Sequence, residues 1–217
     1  MVVCGNFVAG PLDNNVYVVA DETSGDAAVI DPGLGSEPIL GAVQDRGWRL
    51  TCVINTHGHF DHVACDAHFV GQTGAALLIH ADDVPLLGAV PQQARWFGYA
   101  APPVPAAGRL IRHGDEIGVG SAILQVIHTP GHTPGGVCLL AGAPAPGGGT
   151  PLLFSGDTLF AGSIGRTDLA GGDYQALLRS IRERLLPLSD DTLVYPGHGP
   201  ATTIGREREG NPFLIPG

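Results

Sequence analysis

The sequence predicts a layered α/β fold with mixed sheets and with its chemistry on loops at one edge. Three observations lead there. The first third alternates short β-branched runs with tight turns, and strands then alternate with helices. Four strand candidates run directly into a sharp turn followed by histidine or aspartate, the loop-borne pattern of a functional site. The 33 Gly and 18 Pro, about a quarter of the chain, are spread between apolar runs, so they mark turns rather than disorder. With 217 residues, 44% of them hydrophobic and 15% charged, the chain can bury an ample core as one large domain or two small ones, and because the strand pattern continues on both sides of the Gly142–Pro151 loop, one domain over 1–217 is expected.

The elements follow in order. Val2–Val8 and Asn15–Ala20 are β-branched runs separated by the turn at Pro11–Asn14. Ala27–Ile30 is a third strand, ended by the turn tripeptide Asp31-Pro32-Gly33. Ser36 is placed to cap a helix running to about Arg46, with Gly47 as its stop. Leu50–Ile54 reads as strand, Asp61 to about Val70 as helix and Ala76–Ile79 as strand. Residues 81–108 hold five prolines and the aromatic cluster Trp96, Phe97 and Tyr99, which predicts a short helix or two and then an irregular excursion. Within it, 84–108 forms either a lid facing substrate or a satellite core under the loop. Strands resume near Arg109–Arg112, Ile117–Val119, Ala122–Ile127 and Val137–Ala141. Gly142–Pro151 is a Gly/Pro-rich surface loop, and Leu152–Phe154 a short buried strand. Asp173 caps the clearest helix, whose Tyr174, Leu177, Leu178, Ile181 and Leu185 recur at the spacing of one buried face. Leu193–Tyr195 is the last strand.

Composition excludes several functions. All 11 basic residues are arginine, which removes a P-loop lysine, a Schiff-base lysine and a Ser-Lys pair. A net charge of -10 argues against nucleic acid as the partner, because phosphate neutralisation needs a basic surface. The N-terminus has no basic stretch followed by a long apolar core, and no apolar run approaches the ~18 residues of a membrane span, so the expected location is the cytoplasm. Cys4, Cys52, Cys65 and Cys138 lie far apart without a C-x-x-C spacing, and are expected to be reduced and mostly buried.

The chemistry concentrates in Thr56-His57-Gly58-His59-Phe60-Asp61-His62, directly after a buried strand. Two residues apart in extended chain, His57 and His59 point the same way, and Gly58 lets the backbone bend between them. Asp61 and His62 come after the chain has turned into helix. Four ligand-type side chains in six residues crowd one ion but serve two neighbouring ones. Imidazole and carboxylate suit zinc, iron or manganese. Three further strands deliver His128-Thr129-Pro130-Gly131-His132, Ser155-Gly156-Asp157 and Pro196-Gly197-His198. Together they supply one more ligand for each ion and a carboxylate able to bridge them. His68, His80, His113 and His128 are read as ordinary histidines, His128 with a supporting position beside the site as the alternative.

The set T-H-G-H-F-D-H, G-H-T-P-G-G, S-G-D-T-L-F and Y-P-G-H-G resembles the metallo-β-lactamase fold superfamily, over about Asn15 to Pro212. Within it, G-D-T-L-F-A-G-S-I-G-R-T-D and P-G-H-G-P-A-T-T-I-G are similar to the short, single-domain glyoxalase II-like (hydroxyacylglutathione hydrolase-like) proteins. The resemblance implies a four-layer αββα sandwich with metals at one edge of the sheets. It implies His57, His59 and His132 on one ion, Asp61, His62 and His198 on the other, and Asp157 between them. Asp31 stands where the family keeps an acid that steadies the metal loop. Arg166, in G-R-T-D, is the candidate contact for a substrate carboxylate, with a salt bridge to Asp168 as the alternative. The short stretch after His198 leaves no room for the helical C-terminal domain that grips glutathione in full-length glyoxalase II.

The implied function is a two-metal hydrolase, zinc being the first expectation and iron or manganese the others. A metal-bridged hydroxide, with Asp61 and Asp157 beside it, attacks the carbonyl of a small-thiol thioester. Alternatives on the same fold are a mononuclear-iron persulfide dioxygenase, a lactone or β-lactam hydrolase, and a binding module on an inactive scaffold. The expected partner is a small molecule, with no nucleic acid and no membrane. Metal identity, acyl group, thiol and oligomeric state stay open.

Overall fold

The computed structural model describes residues 2–142 and 149–215. Residues 143–148, inside the expected Gly142–Pro151 loop, lie outside them. Strands and helices alternate as β1 (Val2–Ala9), β2 (Asn14–Asp21), β3 (Asp26–Ile30), α1 (Glu37–Asp45), β4 (Arg49–Ile54), α2 (Phe60–Val63), α3 (Asp66–Thr73), β5 (Ala76–His80), α4 (Val84–Trp96) and β6 (Arg109–Ile111). There follow β7 (Glu116–Val119), β8 (Ala122–His128), β9 (Val137–Ala141), β10 (Leu152–Gly156), β11 (Leu159–Phe160), β12 (Ser163–Ile164), α5 (Tyr174–Ser180), β13 (Leu193–Pro196), β14 (Thr202–Thr203) and α6 (Ile204–Gly210). A 3-10 turn, Ala81–Asp83, leads into α4, and a π turn, Ile181–Leu185, extends α5. Among the described residues no helix is long and apolar enough to cross a membrane.

The chain divides into two compact units. One spans Met1–Ile111 and Gly118–Ala122, the other Arg112–Ile117 and Ile123–Gly217. The first carries a six-stranded sheet in the order β1-β2-β3-β4-β5-β6. Its β1, β2 and β3 form an antiparallel meander, while β3, β4, β5 and β6 run parallel. Parallel neighbours need a crossover, and α1, then α2 with α3, then α4 supply it. β2 is buried along its whole length, as an apolar run between strands should be, whereas edge strand β1 alternates in exposure. Val18, Val29, Val53, Leu77 and Phe69 lie in this unit's core.

The second main sheet has the order β14-β13-β10-β9-β8-β7. β8, β9 and β10 are antiparallel neighbours, β10 and β13 are parallel, and β14 returns antiparallel on β13. Leu140, Leu153, Leu177, Ile181, Leu185 and Val194 lie in the core of the second unit. Both sheets are mixed, as expected.

Some local readings change. Asp61–Val70 is not one helix, since α2 ends at Val63 and α3 begins at Asp66. Ser36 sits at the start of α1 but makes no side-chain cap bond. Asp173 does cap α5, its Oδ1 accepting the Ala176 amide at 2.9 Å. Leu177, Leu178, Ile181 and Leu185 are buried as their spacing required, but Tyr174 is 43% exposed. β11, β12, β14 and α6 were not anticipated, because two-residue strands and a seven-residue helix rich in Arg, Glu and Gly carry little periodic signal. The four cysteines are free, with Cys4 exposed and the other three buried.

Candidate metal centre

In the first unit, three adjacent parallel strands deliver the polar residues at their carboxyl ends, where α/β sheets bind ligands. β3 delivers Asp31, β4 delivers His57, His59, Asp61 and His62, and β5 leads to Asp83. Asp31 is buried, with a left-handed backbone at φ 51°. Its Oδ1 accepts the Thr56 amide at 2.7 Å and its Oδ2 the Thr56 hydroxyl at 2.6 Å. The same Oδ2 lies 3.2 Å from His62 Nδ1. A carboxylate only accepts, so His62 Nδ1 carries the proton. Thr56 has given its one proton to Asp31, so at 3.1 Å it accepts from His57 Nδ1. Both rings are thereby held in the tautomer that leaves Nε2 unprotonated and able to take a metal ion.

His59 precedes α2 in extended conformation, with φ -73° and ψ 144°. Its ring stands perpendicular to that of His57 at 4.9 Å between centroids, and the His57 and His62 rings are 4.2 Å apart. His62 Nε2 lies 3.6 Å from Asp61 Oδ2. That oxygen also accepts Asn14 Nδ2 at 3.3 Å. Asp31, His57 and His62 bring ligand-type atoms within 4.8 Å of one another. Gly33 abuts this loop so closely that a Cβ on it would overlap the Asp61 carbonyl oxygen.

The second unit presents His132, Asp157 and His198 on the turns after β8, β10 and β13. The His132 turn is tied to α5: the Asp173 amide donates to Gly131 O at 2.8 Å, and Ser180 Oγ donates to Pro130 O at 2.8 Å. His132 Nδ1 donates to the Arg166 carbonyl at 2.8 Å, so here too Nε2 is left able to take a metal ion. The Asp157 and His198 turns are joined where Gly197 N–H donates to Gly156 O at 2.8 Å. Asp157 Oδ2 lies 3.6 Å from His132 Nε2 and 3.8 Å from His198 Nε2. A Cβ on Gly165 would overlap the Asp157 carbonyl oxygen, repeating the Gly33 arrangement.

These separations fit the chemistry of a divalent ion. Two ligands at about 2.1 Å on a tetrahedral ion stand about 3.4 Å apart. The three Nε2–carboxylate distances of 3.6–3.8 Å are close to that and too long for hydrogen bonds.

A family model described as the metallo-beta-lactamase superfamily matches residues 9–198. The chain belongs to that superfamily. It is 36% identical to the hydroxyacylglutathione hydrolase GloC of Haemophilus influenzae, with 87% of each chain covered. It is similar to the crystal structure of the BLEG-1 B3 metallo-beta-lactamase at a TM-score of 0.88 and 34% identity, covering 99% of this chain and all of that one. Against the crystal structure of TTHA1623 in a di-iron-bound form, the TM-score is 0.84 and the identity 40%, over 97% and 100% of the two chains. The expected fold is thus the one this superfamily member has, and it is a metallo-hydrolase of the superfamily.

The sequence placed His57, His59, His132, Asp157 and His198 on turns that follow strands, and Asp61 and His62 at the start of a helix, which is α2. It did not point to Asn14, Asp83 or Gln93, which touch the metal loop from distant positions. Only the N-N before Val16 and the H-A-D-D after β5 hinted at polar residues beside apolar strands. Arg166 forms the alternative arrangement: its guanidinium donates to both carboxylate oxygens of Asp168, at 2.7 and 2.8 Å. That pair holds the Asp168 carboxyl down at about 2. Residues 84–108 divide between the two readings. Tyr99 packs against the core and lies 6.1 Å from Phe60, while Trp96 is 70% exposed and Phe97 48%.

Proposed function

We propose that the chain is a two-metal hydrolase cleaving thioesters of a small thiol. Its likeness to a hydroxyacylglutathione hydrolase over 87% of both chains carries the substrate class. In this reading His57, His59 and His132 hold one ion, Asp61, His62 and His198 the other, and Asp157 serves both. The Asp157 oxygen shared between two imidazoles supports the last role. When bound, two divalent ions would acidify a water and polarise the carbonyl. Zinc suits the donor set, and the di-iron form of TTHA1623 favours iron as the alternative.

The chain's own residues supply aim and charge. Asp31 fixes the proton position of His62 directly and that of His57 through Thr56, and the Arg166 carbonyl does so for His132. Asp61 and Asp157 are the two carboxylates beside the reacting centre and orient the attacking water. A thiolate leaves without a strong general acid, since a thiol has pKa ~8.5. With no lysine in the chain, an anionic group on the substrate meets arginine or backbone amides, and Arg166 is the candidate once it exchanges Asp168 for substrate.

The test is a panel on protein loaded with zinc or with iron: acyl-thioesters of small thiols, a lactone, a β-lactam, and a persulfide with oxygen uptake followed. Thioester turnover that disappears in His59→Ala supports the proposal. The likeness to BLEG-1 favours β-lactam cleavage as the second reading, and turnover confined to the β-lactam would replace the first. Oxygen uptake with one bound iron would overturn both.

A further inference from the structure

The backbone of the H-x-H pair is held by two buried side chains, one on the peptide that follows His57 and one on the peptide that follows His59. The Gly58 amide donates to Asp83 Oδ2 at 2.9 Å. The Phe60 amide donates to Gln93 Oε1 at 3.2 Å. Both acceptors belong to one continuous helical segment, the 3-10 turn Ala81–Asp83 and α4. Asp83 and Gln93 are buried. Gln93 is itself aimed, its Nε2 donating to Leu86 O at 3.0 Å. The fit over Gly58 is close: a Cβ there would come within 2.7 Å of Leu86 Cβ and 3.0 Å of Asp83 O. On the far side, Phe60 stacks on Phe97, just after α4, at 5.4 Å.

A buried carboxylate is costly unless it is hydrogen-bonded, so its place needs a use. Here the use is geometric. The direction of a histidine side chain follows its backbone, and the backbone at His59 is extended between a strand end and a helix start, with no ladder of its own. Ligand residues deliver tight binding only when their supports hold them.

We propose that Ala81–Trp96 is a clamp for the His57–His59 turn, with Asp83 and Gln93 as positioning residues that set the affinity of the ion shared by His57 and His59. The inference rests on the proposed ligand assignment. It gives the segment that the sequence left as lid or satellite core a different task, which is holding the metal loop from behind.

The test compares wild type with Asp83→Ala, Asp83→Asn, Gln93→Met and His59→Ala in two measurements. One is zinc titration against a chromophoric chelator. The other is amide hydrogen exchange of the metal-free protein. In Asp83→Ala and Gln93→Met one zinc is expected to bind about 10–100-fold more weakly, and the other as in wild type. Exchange should quicken at Gly58 in the first variant and at Phe60 in the second. Asp83→Asn keeps an oxygen acceptor and should restore both readouts. If Asp83→Ala does not fold, Gln93→Met and Asp83→Asn carry the comparison. Zinc loss in His59→Ala with none in Asp83→Ala or Gln93→Met, and unchanged exchange, overturns the clamp. Two zinc ions bound normally by His59→Ala overturn the ligand assignment instead, and exchange at Gly58 and Phe60 still decides whether the segment holds the loop.

Discussion

The two units present their share of the ligands in different ways. In the first, buried side chains hold the candidate ligand loop: Asp31 and Thr56 grip His57 and His62, Asn14 grips Asp61, and Asp83 and Gln93 grip the peptides that follow His57 and His59. In the second, the backbone does most of that work. A carbonyl orients His132, and the turns carrying His132, Asp157 and His198 are pinned at Pro130, Gly131 and Gly156. The difference follows from sequence spacing. Four ligands in six residues cannot each sit on its own strand, so side chains from elsewhere must sort them. Single ligands at three strand ends are aimed by the strands themselves.

The largest effect should break the first arrangement at its centre. Asp31→Ala removes the acceptor of three donors, each costing about 1–3 kcal/mol when left buried and unpaired. The expected result is a loss of at least about 3 kcal/mol in urea unfolding together with loss of zinc binding, seen by chelator competition. A variant that unfolds like wild type would show that Asp31 is not what holds the loop.

Next come two matched substitutions, Gly33→Ala and Gly165→Ala, one in each unit. Each added Cβ meets the carbonyl oxygen of a candidate ligand, Asp61 or Asp157. Overpacking of this kind costs about 1–3 kcal/mol. Both variants should lose stability by similar amounts in denaturant titration. A much smaller loss at Gly165 would mean that the turn-borne half yields where the side-chain-held half does not.

A smaller effect probes the floor of the first unit. Asp66 is fully buried, accepts Asn55 Nδ2 at 3.2 Å, and has its pKa raised well above the usual carboxylate range, mainly by burial. Asp66 Oδ2 is buried without a hydrogen-bond partner, so a charge there is unsatisfied. A folded pKa above the unfolded one means that the folded state holds the proton more tightly. Its contribution is therefore fully present below the unfolded carboxyl pKa and is lost as pH rises through the folded value. Asp66→Asn, which stays neutral, should gain on wild type as pH rises, by about 1 kcal/mol. Melting curves from pH 4 to pH 8 read this directly, and a constant difference across the range would contradict it.

The smallest expected effect is in the second unit. Arg166 and Asp168 are exposed, and an ion pair surrounded by water adds little to stability. Arg166→Ala should leave unfolding nearly unchanged. If Arg166 receives an anionic substrate, KM should rise with kcat preserved, and an unchanged KM would leave it a surface ion pair only.

Much of the fold was legible because burial imposes period on sequence. The β2, β3, β4, β8 and β9 runs and the buried stripe of α5 were visible as apolar repeats, and the candidate ligands as polar residues at strand ends. The break between α2 and α3 was not, because Ala64 and Cys65 interrupt no apolar pattern; what ends the helix is packing, with the Cys65 amide donating to Pro32 O at 3.0 Å. α6 escaped notice because its buried Glu207 accepts from Thr202 and Asn211, a polar network with no periodic trace.

By itself, the sequence determined the family, the strand-end placement of seven ligand-type residues and the need for arginine or backbone to meet an anion. These are local properties, written in residue types a few positions apart. Only the tertiary structure decided that His57, His62 and His132 keep Nε2 free of the bonds their Nδ1 atoms make, that Arg166 turns to Asp168, and that Asn14, Asp83 and Gln93 hold the His57–His62 loop. The bonds of Asn14, Asp31, Asp83 and Gln93 to that loop join residues 25 to 47 positions apart, and such pairs leave no spacing to read until the strands between them have paired.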